Sequence, residues 1–211
     1  MNATRIAVAL LGSFAASACG GPKRVNVRVP PRIDVSQYGR VGLATFTIEN
    51  AKGQLNTLAT QRFSEYILDA QRVEVLELGS ADSVLRRTGE AQFGPASAQA
   101  VGGSRDVPAV FAGHLKVSNV KPAAKVVGLN LPRIEATVSV ELTVGLFSTK
   151  TGGTLWRSSA SASEKVGGLA LFGGEPVFSA KDPNEAYGHL VNFLIGEVTR
   201  DMRPTWVVER R

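Results

Sequence analysis

The chain has 211 residues, 24 Lys and Arg against 18 Asp and Glu, a formal net charge of +6, and one cysteine. The single cysteine excludes an internal disulfide, so the fold must be held by its core. The positive balance does not point to nucleic acid. Arg24, Arg28, Arg32, Arg40, Lys52, Arg62, Lys116, Lys121, Lys125 and Arg157 are scattered, and no dense basic run interleaves with aromatics. They read as a solvated positive surface, with at most a weak attraction to anionic lipid heads or cell-wall polymers.

The chain begins with Arg5 in front of an apolar run, Ile6 to Ala18, that stops at Cys19. A run this short cannot cross the roughly 30 Å hydrocarbon core as a helix. A charged start, a short apolar stretch and small residues before a cut are the parts of a secretory signal peptide. Ala16-Ser17-Ala18-Cys19 resembles the bacterial lipobox, in which the cysteine is acylated and becomes the first mature residue. That resemblance implies a leader over 1–18, lipidation of Cys19 and a membrane anchor of three acyl chains. Gly20 stands where an Asp would retain a Gram-negative lipoprotein in the inner membrane, so the outer membrane, periplasmic side, is the expected address. About 190 residues then remain, enough for one self-sufficient core.

Residues 19–38 read as a lipidated stem, broken by Gly20, Gly21, Pro22, Pro30 and Pro31. Val25, Val27 and Val29 alternate with Asn26 and Arg28, as in an edge strand. A single domain is expected over 39–208. Arg40 to Ile48 is apolar on both faces and predicts a central strand. A turn follows at Asn50 to Gly53. Gln54 to Gln71 predicts an amphipathic helix, with Leu55, Leu58, Ala59, Phe63, Tyr66, Ile67 and Ala70 inward. Val73 to Leu78 predicts a second strand. A short helix capped by Ser80 and ended at Gly89 comes next, then another over Pro95 to Val101.

Val110 to Val120 predicts a third strand. In Ile134 to Phe147 the residues Ala136, Val138, Val140, Leu142, Val144 and Leu146 alternate with Thr137, Ser139, Glu141, Thr143 and Gly145. Strict alternation predicts a strand with one face on a core and one in water. Lys150 to Gly153 predicts a hairpin turn using glycine at positive φ, and Thr154 to Glu164 the returning strand. Gly167 to Phe178 is glycine-rich and reads as a mobile loop. Asp182-Pro183-Asn184-Glu185 combines an Asp cap, Pro at the first helical position and Glu at the third. It opens a helix whose stripe is Tyr187, Leu190, Val191, Leu194, Val198 and Met202, widened by Phe193 and Ile195, and stopped before Pro204. A short extended tail, Thr205 to Val208, follows. The order β-α-β-α-β-β-β-α implies an α+β fold: a two-layer sandwich, mostly antiparallel, with long helices packed on one face.

Arg40-Val41-Gly42-Leu43-Ala44-Thr45-Phe46, Val73 to Glu77, Val110-Phe111-Ala112-Gly113-His114-Leu115 and Lys150-Thr151-Gly152-Gly153-Thr154-Leu155-Trp156 together resemble the curli-assembly (CsgG-like) lipoprotein superfamily. That superfamily also takes in penicillin-binding-protein activators and is similar to the amino-terminal domain of TolB. The resemblance covers residues 39–203. It implies an envelope lipoprotein that assembles with other proteins, and as an alternative a subunit of a curli-type secretion channel. The channel inserts two long hairpins per subunit. Here the corresponding connections, 119–133 and 164–180, are too short for two crossing strands and a turn.

No catalytic set emerges. His114 and His189 have no other histidine and no second cysteine to complete zinc spacing, and no Gly-x-Ser-x-Gly elbow is present. The glycine pairs Gly167-Gly168 and Gly173-Gly174 lack the Lys-Ser/Thr of a phosphate loop. No cofactor, metal or small-molecule substrate is expected, and an enzyme acting on cell wall or lipid is the least favoured alternative. Trp156 is expected to pack across the sheet. Leu169, Leu171, Phe172 and Trp206 are the candidate contacts for an envelope partner or for self-association. The expectation is a non-catalytic protein-binding module anchored through Cys19.

Overall fold

The computed structural model describes residues 24–123, 135–173 and 175–210. Cys19 and the leader lie outside them, as does most of the connection 119–133.

The chain divides into two units. One is a ribbon. Its strands are β1 (Arg24–Val29) and β11 (Thr205–Arg210), which pair as a two-stranded sheet. The alternating valines of the stem and the extended tail therefore become strands of the same ribbon.

The second unit, Pro30–Thr205, contains the body. Its central sheet has the order β5-β2-β6-β7-β8, formed by β5 (Glu74–Ser80), β2 (Arg40–Thr45), β6 (Ala109–Ala123), β7 (Glu135–Ser148) and β8 (Thr154–Val166). The β2 strand pairs parallel with both neighbours, whereas β6-β7 and β7-β8 are antiparallel. The fold is α+β, and the sheet is mixed. Between β2 and β6 the chain crosses over through helices, which fixes the parallel half; in the antiparallel half a short turn joins β7 to β8.

The apolar pattern places the long helices as expected. Helix α1 (Leu55–Ala70) buries Leu55, Leu58, Ala59, Phe63 and Ile67. Helix α4 (Pro183–Val198) buries Tyr187, Leu190, Val191, Leu194, Ile195 and Val198. Both pack on one face of the sheet in the main core, which also holds Val41, Leu43, Leu115, Val140 and Leu142. A line of rings crosses it: Phe46 to Phe63 at 5.4 Å, Phe63 to Phe111 at 5.1 Å, and Phe111 to Trp156 at 6.3 Å. The last two are edge-to-face, and aromatic pairs of that kind add roughly 0.5–1.5 kcal/mol each beyond area burial. Phe193, expected to widen the α4 stripe, is 48% exposed.

The opposite face is covered at one end. Helices α2 (Asp82–Thr88) and α3 (Pro95–Arg105) close over Leu76, Leu78, Val107 and Val110, where α3 contributes Val101, and beside them over Ala112 and Phe147, where it contributes Ala98. Helix α2 starts one residue after the expected Ser80 cap: Ala81 takes the cap position and Ser80 Oγ accepts the Asp82 N–H at 3.2 Å. It ends at Gly89 in the left-handed region, as expected. Helix α3 receives its cap from outside, because the Glu90 carboxylate accepts from the N–H groups of Ala96 and Ser97. Burial works against the charged carboxylate there, but these bonds and the Ser97 hydroxyl outweigh it and lower its pKa.

The strand expected over Arg40 to Ile48 breaks at Phe46. The Thr60 hydroxyl accepts the Phe46 N–H and the Asn56 amide donates to its carbonyl, both at 2.9 Å. Helix α1 thus takes the backbone bonds that a continuous strand would make, and a separate strand β3 (Thr47–Glu49) pairs parallel with β6. The Gly167–Phe178 stretch is not a loop. Strands β9 (Leu169–Phe172) and β10 (Glu175–Phe178) form a hairpin, joined by parallel pairing to β4 (Lys52–Gly53). Gly53 makes this possible: its φ is +106°, and a Cβ there would lie 2.0 Å from the Phe178 carbonyl oxygen.

Residues 30–38, part of the expected stem, are held within the body unit. Val35 is fully buried. Its N–H donates to Gln71 Oε1 at 3.2 Å, and Gln71 Nε2 donates to the carbonyls of Ile33 at 3.3 Å and Met202 at 2.6 Å.

Candidate functional site

The sheet face left open beyond α2 and α3 is polar by register. Thr47 on β3 lies opposite His114 on β6, which lies opposite Thr143 on β7, which lies opposite Ser159 on β8. The next polar row is Glu49, Lys116, Glu141 and Ser161. Ser139 and Ser163 share a hydrogen bond at 2.6 Å, and Thr143 and Ser159 share one at 2.8 Å. The alternation expected for β7 therefore extends over four strands. The apolar half of each strand feeds the core, and the other half builds this face.

Where the face meets the α3 layer it forms a cleft of about 310 Å³. Thr47, Glu49, Gln92, Phe93, His114, Lys116, Glu141, Thr143 and Arg157 line it. His114 is its centre. Nδ1 is 2.9 Å from Thr47 Oγ1, and Nε2 is 3.1 Å from a Glu49 oxygen. Nε2 donates to the Glu49 carboxylate, and Nδ1 shares a hydrogen bond with the Thr47 hydroxyl. Lys116 Nζ reaches the other Glu49 oxygen at 3.2 Å. The His114 hydrogen bond, then the Lys116 one, holds the Glu49 carboxyl below the usual range.

The arrangement links a hydroxyl, an imidazole and a carboxylate, which sequence spacing did not reveal. Thr47 and His114 are far apart in the chain, and only the parallel β3-β6 register brings them together. Chemically it is a closed relay that pins β3 to β6. The backbone around Thr47 is committed to that pairing. Among the described residues no cluster of His, Cys, Asp and Glu could hold a metal ion. His189, on α4, is exposed and bonded through Nδ1 to Glu164 at 2.7 Å.

The other candidates fall in different places. Leu169 is 5% exposed and packs in the main core rather than on the surface. Its strand is pinned by pairing with β10, which turns Leu169 inward. Phe172, at the tip of the same hairpin, is 76% exposed. Leu171 pairs through its backbone with Pro176. Trp206 on β11 is 66% exposed. Trp156 packs in the core against Phe111, as expected.

No protein-family model matches the chain, and no curated protein matches its sequence. Solved structures resemble it. The PelC dodecamer from Paraburkholderia phytofirmans is 11% identical over 86% of this chain and 98% of that one, with a TM-score of 0.49. The lipoprotein GNA1162 from Neisseria meningitidis is 13% identical over 60% of this chain and 83% of that one, with a TM-score of 0.38. The C-terminal domain of LpoB from Salmonella enterica is 8% identical over 64% and 86%, also at 0.38. None is similar enough to carry a function across.

Proposed function

We propose that this chain is a lipid-anchored, non-catalytic binding module of the bacterial envelope. In this reading Cys19 carries the acyl chains on the periplasmic side of the outer membrane, and the body holds a protein partner on the open face of its sheet. The observation that carries the binding role is the face itself. It spans β3, β6, β7 and β8, is built on a fully packed core, and presents bonded hydroxyls beside the charges of Glu49, Lys116, Glu141 and Arg157. A rigid face of mixed charge selects a complementary polar surface, because like charges brought opposite it are penalised. The lipobox and the curli-assembly-like order of motifs support the envelope address.

A secretion-channel subunit is disfavoured by β9 and β10. Each has four residues, against about 9–11 for a strand that crosses a bilayer. An enzyme is disfavoured by the closed His114 relay.

The test is site-specific photo-crosslinking in intact cells. A crosslinker at Ser161, exposed on the open face, is expected to trap one defined protein, whereas one at Asp69, on α1, traps none. Equal products from both positions, or none from Ser161, would refute the binding face.

A further inference from the structure

The β1-β11 ribbon has no core of its own. Every described side chain in it is exposed apart from Val27, which is half-buried. Val25 is 41% exposed, Trp206 66% and Val208 57%, and Val29 and Val207 are exposed as well. An isolated two-stranded ribbon is at best marginal in water, and this one offers apolar side chains that no other described residue of its unit covers.

Its composition says what would cover them. The two strands read Arg-Val-Asn-Val-Arg-Val and Thr-Trp-Val-Val-Glu-Arg. Arginines outnumber the single acid, and valines surround one tryptophan. Tryptophan is enriched at membrane–water interfaces, where its ring sits at headgroup level, and arginine stems bury along apolar surface while the head stays in water. Charge complementarity therefore favours an anionic lipid surface.

Chain length leads to the same place. Four residues lie between Cys19 and Arg24, so the five steps reach at most about 18 Å when fully extended. With Cys19 held at the bilayer, the start of β1 at Arg24 cannot leave the headgroup region by more than that. This clause rests on the anchor proposed above; the exposed apolar strands and their charge do not.

We infer that the β1-β11 ribbon lies on the bilayer surface, with Trp206 at the headgroup level and Arg24 and Arg28 against anionic headgroups. The lipid anchor and the ribbon then form a two-part attachment.

Trp206 reports directly on this, because the protein has two tryptophans and Trp156 is buried in the core. The processed protein is purified from cell membranes and reconstituted in vesicles of equal parts phosphatidylglycerol and acyl-brominated phosphatidylcholine, whose bromines quench nearby tryptophan. The Trp206 emission is expected to be roughly halved, as for a ring at the interface, and Trp206→Phe removes the quenched component while the Trp156 emission stays. Arg24→Gln with Arg28→Gln, or vesicles of brominated phosphatidylcholine alone, is expected to reduce the quench. Mass spectrometry of Cys19 in the same sample separates the two ideas. Acyl chains present with Trp206 unquenched overturn the ribbon and leave the anchor. Acyl chains absent with Trp206 quenched uphold the ribbon and remove the anchor. A crosslink joining the Trp206 positions of two copies, without quenching, would show that a second copy covers the ribbon and would overturn the proposal.

Discussion

The ring of Phe46 lies directly over Gly113. A Cβ at Gly113 would sit 2.6 Å from the ring, so the glycine on β6 admits the aromatic that stands at the break between β2 and β3. Phe46 is held there by Thr60 and Asn56, which capture its backbone. Gly113→Ala is therefore expected to destabilise the fold by about 1–3 kcal/mol through overpacking. Phe46→Leu alone also destabilises, but added to Gly113→Ala it should recover part of the loss. Urea denaturation of the four proteins measures the coupling; strict additivity would show that the two residues do not share the space.

Gln71 ties two separated segments to the end of α1. Its amide serves Val35, Ile33 and Met202 at once, while the side chain is 6% exposed. Gln71→Leu keeps the bulk and abandons those backbone groups. A stability loss of about 1–3 kcal/mol is expected for each group left buried and unpaired, moderated by any water that enters. Limited proteolysis should then cut between residues 30 and 38, where the parent protein resists.

Tyr187 behaves in the opposite way. Its hydroxyl is buried without a hydrogen-bond partner, and burial pushes its pKa up from 10.0 to about 12. Tyr187→Phe is expected to be neutral or stabilising, because it removes an unpaired polar atom and keeps the ring against Phe178. The pH dependence follows from linkage. Below pH 10 both folded and unfolded forms keep the proton and Tyr187 contributes no slope. Between pH 10 and about 12 the unfolded chain ionises first, so stability falls as pH rises. Thermal melts across that window should show the fall in the parent protein and a smaller one in Tyr187→Phe.

Much of this architecture was legible in the chain. The Asp182 cap and Pro183 start of α4 were plain, and Asp182 does accept from Asn184 and Glu185. The alternation of β7 and the Gly152 turn, with φ of +73°, were equally clear, because each depends on neighbours in sequence. What escaped depends on distant partners. The break at Phe46 is imposed by α1 side chains. The β9-β10 hairpin is a strand pair because Lys52–Gly53 pairs with it, and without that pairing its glycines read as a loop. The His114 relay exists through a parallel register that no local pattern encodes. Phe193 followed the α4 periodicity and still faces outward.

The Glu49–His114 contact makes a separate prediction at the candidate site. The carboxyl of Glu49 titrates below its ordinary 4.5 because His114 and Lys116 bond the charged form. A lowered folded pKa contributes stability that is present above the unfolded value and lost as pH falls through the folded one. His114→Ala should move the Glu49 titration upward toward 4.5, read by carboxyl NMR shifts, without abolishing folding. A Glu49 titration that does not respond would show that the relay is not made in solution.

The anchor is the premise on which the envelope address depends. Mass spectrometry of the protein extracted from cell membranes tests it most directly. The account predicts an amino-terminal peptide beginning at Cys19 and carrying acyl chains. An intact leader, or a chain beginning at residue 19 with an unmodified thiol, would contradict it.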